Sequence, residues 1–307
     1  MTSFTARPSW TRYRDILDRR FSIRLDREPV EQWRQIRGHS VRLDAWLPDG
    51  PARGVLILVH GGGGNGRILA PCALPALAAG WRVLAPDLPG YGLTRPAPGY
   101  RGDYAEWPAI VAELARTEPG PVVLMGLSMG GMTAVFAAKQ SPAVAGVIAT
   151  TLLDLSDPAA FVRAARWPWL GRLSLWTMRL APWLFDRLVL PLGLATPLSA
   201  MSSDAEMQAY FRKDPLIGGR WVRARFFRTA HKHRADDLTL TCPVLLVHPG
   251  ADAWTPTAMS LRTFEALNAD KRFVELSNGS HLPAERPAFQ ELSGAVIQFL
   301  DEVAGQR

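Results

Sequence analysis

Residues 119–138, PGPVVLMGLSMGGMTAVFAA, carry no charged side chain. The stretch is long enough to suggest a membrane span. It also holds Pro121 and the glycines Gly120, Gly126, Gly130 and Gly131, which a continuous apolar helix would not gather in its middle. Residues 121–125 read instead as a buried strand and residues 129–139 as a buried helix. A sharp turn between them accounts for the glycines and holds one hydroxyl, that of Ser128. A chain built around such a unit needs neighbouring strands and covering helices.

The rest of the sequence supplies them. Strand signals fall at residues 41–47, 54–59 (GVLILV), 81–85, 144–150, 243–247 and 272–276. Helical signals fall at 68–79, 103–116, 257–267 and 287–304. This alternation predicts an α/β chain with a largely parallel sheet covered on both faces. Residues 155–241 break the pattern. They show no strand signal, hold five of the eleven tryptophans (Trp167, Trp169, Trp176, Trp183, Trp221), and read as helices interrupted by prolines. The expected organisation is an extension over residues 1–40 packed on the core, a core of residues 41–154 and 242–307, and a helical cap over 155–241.

Gly126-Leu127-Ser128-Met129-Gly130 fits the G-x-S-x-G nucleophile elbow, in which a strained strand-to-helix turn pushes the serine out at the sheet's C-terminal edge. A serine hydroxyl needs a base. His281, in Ser277-Asn278-Gly279-Ser280-His281 after the last strand, is the candidate. His248 lies in the strand-end run LLVHPG and reads as locally packed. His231 and His233 lie in HKHRADD, a charged helix end without the further ligands a metal site would need. The base needs an acid to fix its tautomer. Asp252, in a tight loop with Gly250 before it and Pro256 after it, is preferred over Asp154. The order is then Ser128, Asp252, His281. An oxyanion also needs donors: the N–H of Met129 and, from the glycine-rich loop at residues 60–66, that of Gly62, with Gly61 as second choice. The loop lacks the Lys-Ser/Thr ending of a phosphate-binding loop.

These residues, together with His60-Gly61 and Asp87-Leu88-Pro89-Gly90-Tyr91-Gly92, resemble the α/β-hydrolase family from about residue 41 to the C-terminus. The resemblance implies a mostly parallel eight-stranded sheet flanked by helices, with a helical cap after strand 6 and a structural role for Asp87. Arg67 and GLSMGG look most similar to the monoglyceride-lipase and lysophospholipase-like branch. Serine in the nucleophile position sets the chain apart from family members that use aspartate there. The implied activity is a serine hydrolase, esterase- or lipase-like, that cleaves carboxylic esters with medium-sized apolar acyl groups, with no cofactor and no metal. The alternatives are the same triad acting on an amide, peptide or C–C bond, and a non-catalytic ligand-binding member of the fold.

Charge bears on partners. The net charge is +7, nearly all of it from arginine, since only Lys139, Lys213, Lys232 and Lys271 are lysines. The basic residues are scattered, which argues against nucleic acid. In the cap, Arg163, Arg166, Arg172, Arg179 and Arg187 interleave with WPWL and APWLF, a pattern compatible with peripheral contact with anionic lipid. The partner expected at the site is a small-molecule ester. The N-terminal sequence MTSFTARPSWTRYRDILDRR has no apolar core of a secretory signal. Cys72 and Cys242 read as free buried thiols, and the expected location is cytoplasmic.

Overall fold

The computed structural model describes residues 3–234 and 239–305. Eight strands form one sheet: β1 (Val30–Ile36), β2 (His39–Trp46), β3 (Val55–Val59), β4 (Arg82–Pro86), β5 (Val122–Gly126), β6 (Val144–Ala149), β9 (Val244–Pro249) and β10 (Lys271–Leu276). Their spatial order is β1-β2-β4-β3-β5-β6-β9-β10. Only β2 runs against the others, pairing antiparallel with β1 and with β4. Strands β3 (VLILV) and β5 (VVLMG) are buried at every residue, as expected for central strands covered on both faces.

The chain forms β3, crosses to β4 on one side, then returns to place β5 on the other. Such a reversal opens a crevice beyond the strands' carboxyl ends, where ligands of open α/β sheets bind. The register sets Val59 opposite Gly126 and Leu276 opposite Pro249. The loops after β3, β5, β9 and β10 therefore emerge at one edge. Helices Glu106–Thr117 and Met129–Gln140 pack together, as do Ala70–Ala78 and Ala288–Gly305.

The uncharged run resolves into β5, a turn and helix Met129–Gln140. No helix among the described residues is long and apolar enough to cross a membrane.

Two expectations need correction. The edge strand is β1 rather than residues 41–47, so the sheet begins inside the segment read as an extension. VEQWRQI is a largely half-buried edge rich in long polar side chains, and such a strand leaves no apolar run to detect. The extension also contributes helix Pro8–Phe21, which buries Trp10, Tyr13, Ile16 and Leu17. Second, residues 155–241 are not strand-free. β7 (Val189–Pro191) and β8 (Trp221–Arg223) form a separate antiparallel ribbon among the helices, each too short to show a period of two. Residues 235–237 of HKHRADD fall outside the described residues.

Candidate active site

The turn after β5 is strained by construction. Ser128 has φ 57° and ψ −131°, a region non-glycine residues seldom enter and one that costs about 1–3 kcal/mol. The surroundings impose it. A Cβ on Gly126 would lie 2.0 Å from the Gly130 carbonyl oxygen, and one on Gly130 would lie 2.0 Å from that of Val59. The Leu127 N–H donates to Val59 O at 3.0 Å and the Gly131 N–H to Ser128 O at 2.9 Å. Strand, turn and helix thus meet with no room for side chains, and Ser128 is left half-buried at the crevice. Met129 is the first residue of the following helix, so its amide has no partner within that helix.

Asp252 and His281 come together from the loops after β9 and β10. The His281 Nδ1–H donates to Asp252 Oδ2 at 2.8 Å, and both side chains are buried. Three more donors converge on the carboxylate: the Trp254 N–H (2.8 Å), the Thr255 N–H (2.9 Å) and the Thr255 hydroxyl (2.5 Å). Burial alone would raise the Asp252 pKa. The hydrogen bond and charge of His281 and the Thr255 donors outweigh it and hold the carboxyl at about 2. With Nδ1 committed, the imidazole's other nitrogen, Nε2, is buried without a hydrogen-bond partner among the described residues. His281 and Ser128 line one small cavity with Gly61, Gly62 and Leu127. On its other side Ser128, with Gly62 and Met129, borders a larger cavity of about 870 Å³, counted out to solvent. That cavity's walls are mainly apolar and include Leu170, Phe185, Leu190 and Phe227 from the segment after β6.

The residues set aside in the sequence lie elsewhere. Asp154 accepts from the Ser156 N–H in its own turn at 2.8 Å. His248 is buried in β9, with Nδ1 3.0 Å from Pro249 O. His231 and His233 bond to the Leu155 and Thr229 carbonyls. No group of His, Cys, Asp or Glu able to hold a metal occurs among the described residues.

His60 and Asp87 brace the glycine-rich loop. His60 is fully buried. Its Nδ1–H donates to Gly61 O at 2.8 Å, and its Nε2 accepts from the Leu88 N–H at 2.9 Å. Asp87 accepts from the Gly66 and Leu93 amides at 2.8 and 2.7 Å. Arg67, singled out above as a mark of one branch, grips buried Asp44 with two hydrogen bonds of 2.8 and 2.7 Å. It anchors the end of the loop.

Three contributors were not foreseen. Thr255 fixes the Asp252 carboxylate through its amide and hydroxyl. Its hydroxyl, three residues past the aspartate in Asp-Ala-Trp-Thr, was readable as a side-chain turn. Trp254 packs its ring 4.6 Å from that of His281. Arg220, from the segment after β6, donates to the carbonyls of Gly90 and Gly92 at 2.5 and 3.0 Å. Nothing in the local sequence announces that long-range latch.

Residues 56–290 match the profile of the Alpha/beta hydrolase family. The chain belongs to that family. Among curated α/β-hydrolase relatives, the pimeloyl-acyl-carrier-protein methyl ester esterase of Xanthomonas oryzae pv. oryzae is 35% identical over 119 residues, covering 39% of this chain and 42% of that protein. The match thus spans less than half of that relative. Phospholipase YtpA of Bacillus subtilis is 26% identical over 265 residues, covering 84% of this chain and 98% of that one. Among solved structures, the monoacylglycerol lipase of Paleococcus ferrophilus superposes with TM-score 0.64 at 26% identity, covering 86% of this chain and 99% of that one. The monoglyceride lipase of Saccharomyces cerevisiae gives 0.71 at 18% identity, covering 90% and 96%. At that identity the likeness concerns the fold. The eight-stranded, mainly parallel sheet implied by the sequence is the fold observed.

Proposed function

We propose that the protein is a serine hydrolase of carboxylic esters with medium-sized apolar acyl groups, acting through Ser128, His281 and Asp252. The observation that carries this reading is the state of His281. Its Nδ1 is hydrogen-bonded to Asp252, and its Nε2 has no hydrogen-bond partner among the described residues at a cavity shared with Ser128. With the proton on Nδ1, Nε2 accepts the Ser128 proton as Oγ attacks the ester carbonyl, and Asp252 stabilises the imidazolium that forms. The tetrahedral oxyanion is held by the Met129 and Gly62 amides. His281 then protonates the departing alcohol, leaving an acyl-enzyme. Water, deprotonated by the same nitrogen, releases the acid.

The large apolar cavity takes the acyl chain. The smaller one, between Ser128 and His281, takes the leaving group and then water. The described residues 155–234 and 239–241 act as a cap over Ser128. The named activities of the esterase, phospholipase and lipase relatives agree with ester cleavage. Free buried Cys72 and Cys242 support a reducing, cytoplasmic setting. Every step of this reaction is assigned to side chains and amides of the chain itself.

The test is a series of p-nitrophenyl esters from acetate to palmitate with wild type and Ser128→Ala. Turnover should peak at intermediate chain length, and the variant should lose about 10⁶-fold in kcat. Turnover surviving the substitution would refute the mechanism. A wild type active only on aminoacyl anilides would move the chemistry to amides.

A further inference from the structure

Helix Pro168–Leu180 is apolar on two faces. Leu170 and Ser174 face inward and line the large cavity. Trp169, Leu173, Trp176 and Leu180 stand exposed, and their spacing places them along one stripe. Trp183 and Leu184 of the next helix extend the patch, with Trp183 63% exposed. Of the thirteen large apolar side chains exposed among the described residues, eleven lie between Trp167 and Trp221. The apolar exposure is therefore concentrated in one segment, and a patch of this kind marks an interaction surface.

Charge identifies the occupant. From Pro158 to Phe185 there are four arginines and no aspartate or glutamate. Arg172 and Arg179 flank the stripe on helix Pro168–Leu180 and have no ion-pair partner among the described residues. Tryptophans with a wet edge, leucines between them and unneutralised arginines beside them match the interface of a negatively charged bilayer. Leu188, three residues past Phe185, is exposed and also lines the large cavity, so the segment that carries the patch also reaches from the cavity wall to solvent.

We propose that this tryptophan–arginine face docks on an anionic lipid surface and seats the cavity mouth against it. An amphiphile could then enter without crossing bulk water. Docking is a binding event that does not require the acyl-transfer reading, and measuring it in Ser128→Ala as well keeps the two separable.

The experiment is co-sedimentation of the full chain with vesicles of phosphatidylcholine alone and of phosphatidylcholine mixed with phosphatidylglycerol. Binding to the mixed vesicles is expected at low salt, weakening as salt is raised. The double variants Trp176→Ser/Trp183→Ser and Arg172→Glu/Arg179→Glu should each lose about tenfold or more in affinity with an unchanged Tm. Wild type left in the supernatant with mixed vesicles at low salt would overturn the proposal. So would double variants that bind as wild type does. A wild-type dimer in light scattering that ignores vesicles would assign the face to a second copy of the chain.

Discussion

The indole of Trp254 lies against the imidazole of His281, ring centroids 4.6 Å apart and planes tilted by 43°. The same residue donates its backbone N–H to Asp252 Oδ1 and its indole N–H to the Ala164 carbonyl across the crevice, at 2.8 and 3.2 Å. One side chain therefore touches His281, its backbone touches Asp252, and its ring edge is tied to the segment after β6.

Trp254→Ala should release the imidazole on one side, since a displacement of about 1 Å costs up to about 100-fold in rate. A fall of about 10-fold or more in kcat is expected, with little change in KM for a short ester. Trp254→Phe keeps the packing and loses only the Ala164 bond, so it should fall between the two. Steady-state kinetics on p-nitrophenyl acetate, with Tm as a folding control, decide it. An unchanged kcat in the alanine variant would mean that Asp252 alone holds the base.

Thr255→Val removes the hydroxyl that donates to Asp252 Oδ2 and keeps the shape. A buried carboxylate that loses a donor costs about 1–3 kcal/mol. The Asp252 carboxyl, held at about 2 in the wild type against an unperturbed value of about 3.9, should then rise. The sign follows from the depressed value: stability conferred by the charged carboxylate is present above about pH 4 and lost as pH falls towards about 2. In the variant this contribution should be smaller: it still starts to fall at about pH 4 but is exhausted at a higher pH than in the wild type. Acid unfolding followed by circular dichroism measures the shift, and superimposable acid limbs would assign Asp252's low pKa to His281 and the amides alone.

Legibility followed locality. Ser128 and Asp252 each follow an apolar strand run, His281 follows the more polar β10, and all three are bracketed by glycine or proline, so backbone constraints of that kind are written in neighbouring residues. The partners of these groups are different. Trp254 reads as one more aromatic until its ring is set beside His281, and Arg220 meets Gly90 only through the folded segment after β6. Strand β1 escaped detection because it is half-buried on both faces and rich in long polar side chains, so no apolar period of two is imposed. Arg67, suggestive by motif, belongs to a buried ion network with Asp44.

Gly130→Ala tests the close approach at the elbow. The added methyl would sit 2.0 Å from the Val59 carbonyl and 3.0 Å from that of His60, and neither backbone group can move without shifting β3 or its loop. Overpacking of this kind costs about 1–3 kcal/mol or more. A lower Tm together with lost turnover is expected, because the Met129 amide would shift with the helix start. Thermal unfolding and ester kinetics measure both, and full activity at wild-type Tm would show that the elbow is less constrained than its geometry implies.

His60 should dominate the fall in stability below neutrality. Burial pushes its imidazole down to about 4, against about 6.5 in the unfolded chain. The folded state keeps it neutral while the unfolded state takes up a proton. Stability is therefore fully present above about pH 6.5 and drains away as pH falls towards about 4, by about 3 kcal/mol in total. His39 and His248, also lowered by burial, contribute in the same direction, so the wild-type slope alone is not diagnostic. The difference between wild type and His60→Gln isolates the residue, because glutamine can still accept from the Leu88 N–H and cannot charge. The variant should be less stable at pH 7 and should converge on the wild type as pH approaches about 4.5. Denaturant midpoints measured across that range provide the check, and parallel curves would show that His60 is protonated within the fold at the cost of its Leu88 bond.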